Sequence, residues 1–193
     1  MNNSYNSFIQ FSLGIFAFTA LILFAAKFKT VGSDNVSDKI NNEKEKDYTE
    51  TYRKKLASFD FNKFDMPFTS EELLDKLPKV LPSSEYHGDF TLENILYDTN
   101  QDEFVLIDPL TTEYDSFVFD LAKLRQDLVC KWFIRNDNVY LDSKLLTIID
   151  KLNGFVYNEN HYLLILMLMR VLPYTHNEKD KEFLMTEVRR LWK

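Results

Sequence analysis

The stretch from residue 87 to residue 124 most restricts the possible folds, because its hydrophobic period changes twice. A polar loop that begins at His87 leads into two short β-prone runs, Asn94–Asp98 and Glu103–Ile107, with four polar residues between them. Such runs around a short turn predict a β-hairpin. The next apolar residues recur at spacings of three and four, which predicts an amphipathic helix. They are Phe117, Leu121, Leu124, Leu128 and Trp132.

Composition narrows the possible functions. The chain has 193 residues, of which 45% are hydrophobic, enough for one cored domain with an appendage. Its 30 acidic residues against 23 basic ones give a net charge of −7, which argues against nucleic acid as a general partner. The single cysteine, Cys130, excludes a disulfide framework and a cysteine-rich zinc site. Its apolar helical surroundings predict a core thiol.

The N-terminal segment Phe8–Ala26 has no charged residue and is close to the ~20 residues that span a bilayer. No Lys or Arg precedes it, whereas Lys27 and Lys29 follow directly, which favours an uncleaved anchor over a cleaved signal peptide. The positive-inside rule then places the globular part in the cytoplasm. We therefore expect residues 1–29 to form a transmembrane anchor. The alternatives are a buried helix or a spurious N-terminal extension, and in either case the protein would be cytoplasmic.

After this segment, residues 30–46 are polar and charge-dense and predict a solvated linker. Residues 47–193 are predicted to form the globular domain. In its C-terminal part the pattern predicts helices at Ser143–Leu152, His161–Leu172 and Phe183–Trp192.

Two pairs of residues have the spacing of a capping box, in which a helix N-cap and the third helical residue bond to each other. These are Asp47 with Glu50 and Thr69 with Glu72. Both pairs predict structural helices ahead of the hairpin.

Three acidic or amide side chains bracket the hairpin, namely Asp89, Asn94 and Asp108. Phosphoryl transfer needs one carboxylate to orient and deprotonate the attacking hydroxyl, and oxygen ligands for the Mg²⁺ that neutralises the nucleotide phosphates. Asp89 suits the first role. Asn94 and Asp108 suit the second, because a hairpin brings its two ends together.

The pattern His-Gly-Asp-x-x-x-x-Asn, followed by Ile-Asp and then Asp-Leu-Ala, resembles the aminoglycoside phosphotransferase and choline kinase group of the protein-kinase-like superfamily. The resemblance implies that Asp89 is the catalytic base and that Asn94 and Asp108 hold Mg²⁺, with ATP as co-substrate. It also implies that His87 is a packing and hydrogen-bonding brace and that Asp120 ties a helix beneath the catalytic loop.

Taken singly, each of these residues also has a structural explanation. His87 could cap a loop, and Asp108-Pro109 could be an ordinary strand-end turn. Asp115 and Asp120 could be helix N-terminal charges that the helix dipole favours. Only the kinase-like interpretation explains all of them together.

The resemblance implies an α+β, mainly helical fold, the C-terminal lobe of the protein-kinase-like fold with a small β-hairpin, preceded by one N-terminal hydrophobic helix. The chain departs from a complete kinase in its N-terminal part, where a glycine-rich strand meander would grip the nucleotide. Its four glycines are scattered, and residues 27–84 show linker and helix patterns. We therefore expect the nucleotide-binding lobe to be absent. The sequence does not identify residues that bind the nucleotide itself.

Two functions remain open at this point. The first is ATP- and Mg²⁺-dependent phosphorylation of a hydroxyl on a small molecule of sugar or amino-sugar type, either by a truncated relative of the family or with another chain supplying the N-lobe. The second is a catalytically impaired, membrane-anchored pseudokinase that serves as a binding module. Retention of the loop residues favours the enzyme, and the missing lobe favours the module.

Overall fold

The structure is a computed structural model that describes residues 44–135 and 161–193, together with Thr147. In these ranges it contains five α-helices and two two-stranded antiparallel sheets, which confirms the mainly helical α+β class. The elements are β1 (Glu45–Asp47), α1 (Thr49–Ala57), α2 (Ser70–Lys76), β2 (Val80–Pro82), β3 (Ile95–Asp98), β4 (Glu103–Leu106), α3 (Phe117–Cys130), α4 (His161–Val171) and α5 (Glu178–Leu191). Single 3₁₀ turns occupy Leu92–Asn94, Trp132–Ile134 and Leu172–Tyr174.

The first sheet pairs β1 with β2, and the sequence did not predict it. β1 begins at Glu45, inside the segment interpreted as linker. Lys46 forms a 2.6 Å ion pair with the carboxylate of Asp115, and the Tyr48 hydroxyl donates to the same carboxylate at 3.1 Å. These contacts attach the start of the described fold to the segment that precedes α3.

The two predicted capping boxes have different outcomes. At α2 the box is present, because the Thr69 hydroxyl accepts from the backbone N–H of Glu72 while the Glu72 carboxylate accepts from the backbone N–H of Thr69. At α1 the predicted box is wrong. The helix has Tyr48 as its N-cap, and the Asp47 carboxylate instead accepts from the N–H of Thr49 at 2.8 Å. Pairing of β1 with β2 fixes Asp47 in the strand, one residue before the N-cap position.

Helix α4 forms the centre of the helical core. Every residue from Leu163 to Met169 is buried, as the continuous apolar run predicts for an interior helix. Helices α3 and α5 both pack against α4. Cys130 is a buried free thiol, as predicted, and α5 begins at Glu178, in the charged run Glu178–Lys181 that the sequence pattern indicates as a solvated helix start ahead of the amphipathic segment Phe183–Trp192. One face of α3 therefore belongs to the core, and its other face is available to support the preceding loop.

The second sheet is the predicted hairpin. β3 and β4 pair antiparallel from Ile95 opposite Leu106 to Asp98 opposite Glu103. The carboxylate of Asp98 accepts from the N–H of Asn100 at 2.8 Å and so stabilises the turn. The hairpin returns the chain to the loop from which it left.

No helix among residues 44–135 and 161–193 is long and apolar enough to cross a membrane. The predicted anchor, Phe8–Ala26, lies outside the described residues. So does the helix predicted at Ser143–Leu152, apart from Thr147.

Candidate active site

Gly88, in the loop ahead of the hairpin, occupies a position where a side chain does not fit. Gly88 has a φ of +85°, and a Cβ atom on it would lie 2.2 Å from the carbonyl oxygen of Leu110. The N–H of Leu110 donates to the carbonyl of His87 at 2.8 Å. The loop and the segment after β4 therefore touch backbone to backbone, at a distance that only glycine allows.

The start of α3 is fixed to the same loop by Asp120. Its carboxylate accepts from the backbone N–H of His87 at 2.5 Å and from that of Gly88 at 2.8 Å. The side chain is buried, and burial raises the pKa of Asp120 even though both N–H donors favour the ionised form. Asp120 thus links α3 directly to the backbone beside Asp89.

The side chain of His87 contributes packing. It is buried, and its ring meets the ring of Phe90 at a centroid distance of 5.9 Å. Neither ring nitrogen has a hydrogen-bond partner among the described residues. The hydrogen bonds that hold this position come from the backbone of His87 to Asp120 and Leu110, whereas the resemblance implied a hydrogen-bonding side chain.

Asp89 lies at the open side of the loop, with about a third of its side chain exposed. Its Oδ1 is 3.1 Å from the Nζ of Lys123, and its Oδ2 accepts from Nδ2 of Asn94 at 3.3 Å. Nδ2 of Asn94 also donates to the backbone carbonyl of Asp89 at 2.8 Å. Each carboxylate oxygen of Asp89 therefore has one partner from the fold, and the rest of the group is open to solvent.

Asp108 comes alongside this loop because the hairpin closes. Ile107, just before it, donates its N–H to the carbonyl of Asn94 at 3.1 Å. Asp108 is exposed and has a left-handed backbone with φ +54°, a conformation that Asp adopts more readily than most other non-glycine residues and that Asp65, Asp102 and Lys131 share. The structure therefore brings Asn94 and Asp108 to the same end of the hairpin.

The free oxygens of these two residues have the chemistry of a magnesium site. No described residue donates a hydrogen bond to Oδ1 of Asn94 or to the carboxylate of Asp108. The described ranges contain no cluster of three or more His, Cys, Asp or Glu side chains that could enclose a metal. Mg²⁺ keeps several waters and takes one or two carboxylates beside substrate phosphates, so this sparse donor set fits it better than it fits zinc or calcium.

Sequence reasoning missed two residues that hold the loop, Lys123 and Asp127. Asp127 is 1% exposed, and its Oδ2 accepts from the N–H of Leu92 at 2.8 Å. Burial raises the pKa of Asp127 to about 6. With Asp120 these residues stand at positions i, i+3 and i+7 of α3, which places them on one helix face.

The three side chains on this face, Asp120, Lys123 and Asp127, form what we call the α3 brace. They contact the loop in order, at its start, at Asp89 and at Leu92. The available sequence signal was the polar stripe of α3 opposite its apolar stripe. It indicates that this helix face contacts polar groups of the protein, but it does not identify the atoms in contact.

Comparison with known proteins gives one match. The family model described as the phosphotransferase enzyme family (APH) matches residues 17–145, more than half of the chain. The matched range contains the loop, the hairpin and α3, and it starts inside the apolar N-terminal segment. Comparisons with curated proteins and with solved structures found no match.

Proposed function

Because the chain belongs to the phosphotransferase enzyme family, we propose that it transfers the γ-phosphoryl group of ATP, with Mg²⁺, to a hydroxyl of a small molecule of sugar or amino-sugar type. The observation that carries this proposal is the orientation of Asp89. Its carboxylate is held by Lys123 and Asn94 at the open side of the loop, with Asp108 alongside.

In the proposed reaction Asp89 acts on the acceptor. The acceptor O–H gives its proton to the carboxylate as its oxygen bonds to the γ-phosphorus, and the bond from that phosphorus to the bridging oxygen breaks to release ADP. Little covalent chemistry is asked of the protein, so positioning of the acceptor is the main contribution of this residue. A general base of this kind typically contributes ~10²- to 10⁴-fold in rate.

Asn94 and Asp108 would hold the metal ion. Bound there, Mg²⁺ would neutralise charge on the phosphates. The amide oxygen of Asn94 is directed to this role because its Nδ2 is already bonded to Asp89.

The adenine and the phosphates need a second surface. The sheets of the described residues are two two-stranded ones, and neither forms the strand meander that grips a nucleotide in a kinase. We propose that this surface comes from outside the described residues, either from other parts of the chain or from another polypeptide. Without it, the contacts that stabilise the transferring group would lie open to water and would be weaker.

The proposal is tested by single-turnover transfer with the full chain in excess over γ-labelled ATP. A panel of sugars, amino sugars and simple polyols serves as acceptor, so that slow transfer is still detectable. We expect label in a small-molecule product with the wild type and Mg²⁺, and a loss of at least about 10²-fold with Asp89→Asn. Nucleotide affinity should change little.

Transfer that Asp89→Asn leaves intact would contradict the proposed role of Asp89. Tight nucleotide binding with no transfer to any acceptor, even after an N-lobe is supplied, would instead support the pseudokinase binding module.

A further inference from the structure

Lys123 forms an ion pair with Asp89, the proposed base. Lys123 has 12% of its side chain exposed, and its Nζ is 3.1 Å from Oδ1 of Asp89. An ion pair between fully solvated groups contributes little, but a shielded ammonium is screened less by water and salt. The contact therefore bears directly on the behaviour of Asp89.

Asp89 lies beside the residues proposed to hold the metal. Its Oδ2 is 3.3 Å from Nδ2 of Asn94, and Asp108 flanks the same loop. A hard divalent cation prefers carboxylate oxygens, so the carboxylate of Asp89 would be an attractive third ligand. A carboxylate that coordinates a metal is no longer available to the acceptor hydroxyl. The site therefore needs something that keeps Asp89 free for the acceptor hydroxyl.

We propose that Lys123 is a positioning residue that reserves Asp89 for the acceptor. Its ammonium occupies Oδ1 as a built-in counter-ion and repels a divalent cation from that carboxylate, which leaves the cation to Asn94 and Asp108. This inference rests on the proposed function.

The position of Lys123 on α3 makes the contact persistent. It lies between Asp120 and Asp127, and both of these side chains are hydrogen-bonded to the loop backbone. Helix and loop are therefore fixed to each other on either side of the ion pair. This fixes the ammonium of Lys123 opposite Asp89.

The test is a titration of the full chain with Mn²⁺, a paramagnetic substitute for Mg²⁺ whose binding is read by electron paramagnetic resonance. Lys123→Met should raise Mn²⁺ affinity roughly three- to tenfold, because Asp89 loses its counter-ion and becomes available as a third ligand. Lys123→Arg should keep the wild-type affinity, since it keeps the charge. In the Asp89→Asn background, Lys123→Met should have no such effect.

Lys181→Met is the matched control, because it removes a partly buried lysine that pairs with Glu178 on α5. It should leave Mn²⁺ affinity unchanged. Lys123→Gln replaces the methionine variant if thermal melting shows that the latter is not folded.

The inference would be overturned if folded Lys123→Met showed a lower or an unchanged Mn²⁺ affinity. Either result is what a purely structural lysine would give. A rise that persists in the Asp89→Asn background would overturn it as well. Failure of the proposed function looks different, since Mn²⁺ binding would then be absent throughout or insensitive to Asp108→Ala. Binding that Asp108→Ala abolishes and Lys123→Met leaves unchanged overturns the inference alone.

Discussion

Asp127 provides a quantitative prediction about stability, because its ionised form is unfavourable in the fold. The side chain is 1% exposed, and burial raises the pKa of Asp127 from 3.8 to about 6. The hydrogen bond from the N–H of Leu92 and the charges of Lys123 and Arg135 offset only part of the loss of water, and Oδ1 of Asp127 has no hydrogen-bond partner among the described residues. Asp127→Asn keeps an acceptor for Leu92 and removes the charge.

The direction in which stability changes with pH follows from which state, folded or unfolded, binds the Asp127 proton more tightly. The folded state holds the Asp127 proton up to about pH 6, whereas the unfolded chain releases it near pH 3.8. This group therefore stabilises the fold fully below pH 3.8, and that contribution is lost as the pH rises through about 6. One pKa unit corresponds to about 1.4 kcal/mol, so roughly 2 to 3 kcal/mol is lost between pH 4 and pH 7.5.

Urea unfolding at several pH values measures this contribution directly. The free energy of unfolding of Asp127→Asn, minus that of the wild type, should rise by roughly 2 to 3 kcal/mol from pH 4 to pH 7.5. Other titrating groups cancel in this difference.

Asp127→Ala is the matched control variant. It should give the same pH dependence at a constant offset of roughly 1 to 3 kcal/mol lower stability, because the N–H of Leu92 loses its acceptor. A difference curve that is flat, or that falls with pH, would refute the argument that burial governs Asp127.

Three further predictions concern the loop, the second lobe and the N-terminal segment. Gly88→Ala should lower stability by several kcal/mol, since a left-handed φ alone costs ~1–3 kcal/mol and the new Cβ overlaps the carbonyl of Leu110; an unchanged melting temperature would contradict this. Residues 44–193 alone, which keep all of β1, should show very slow transfer or none, with turnover rising once an N-lobe is supplied separately or fused ahead of Lys44. Fast phosphoryl transfer by that fragment alone would contradict this prediction. The segment Phe8–Ala26 should hold the full chain in the membrane fraction with the globular part protected on the cytoplasmic side, and protease protection after fractionation checks this; recovery in the soluble fraction would count against it.

The hairpin and α3 were predictable because their signals are local. Two short β-prone runs on either side of a polar turn predicted β3 and β4, and an apolar stripe predicted α3 to within two residues of Trp132. Thr69 and Glu72 likewise carry their capping box within one helical turn. In each case neighbouring residues in the chain contain the information.

The β1–β2 sheet and the α3 brace were not predictable, because their partners are far apart in sequence. Glu45 pairs with Pro82, and three-residue strands show too little alternation to be recognised. Lys123 and Asp127 read as ordinary polar residues of a helix until the loop is placed against them. The same holds for Asp47, which a local rule assigned to a capping box although the sheet takes it into β1.

The proposed metal pair is tested most directly by magnesium-linked nucleotide binding to the full chain. Thermal shifts with ATP and ADP, with and without Mg²⁺, are compared for the wild type, Asp108→Ala and Glu103→Ala, which removes an exposed carboxylate from the opposite end of β4. We predict that Mg²⁺ increases the nucleotide-induced shift in the wild type and in Glu103→Ala, and that Asp108→Ala abolishes this increase. A wild type without any magnesium-linked shift, or an Asp108→Ala variant that keeps it, would contradict the assignment of Asn94 and Asp108 as the metal site.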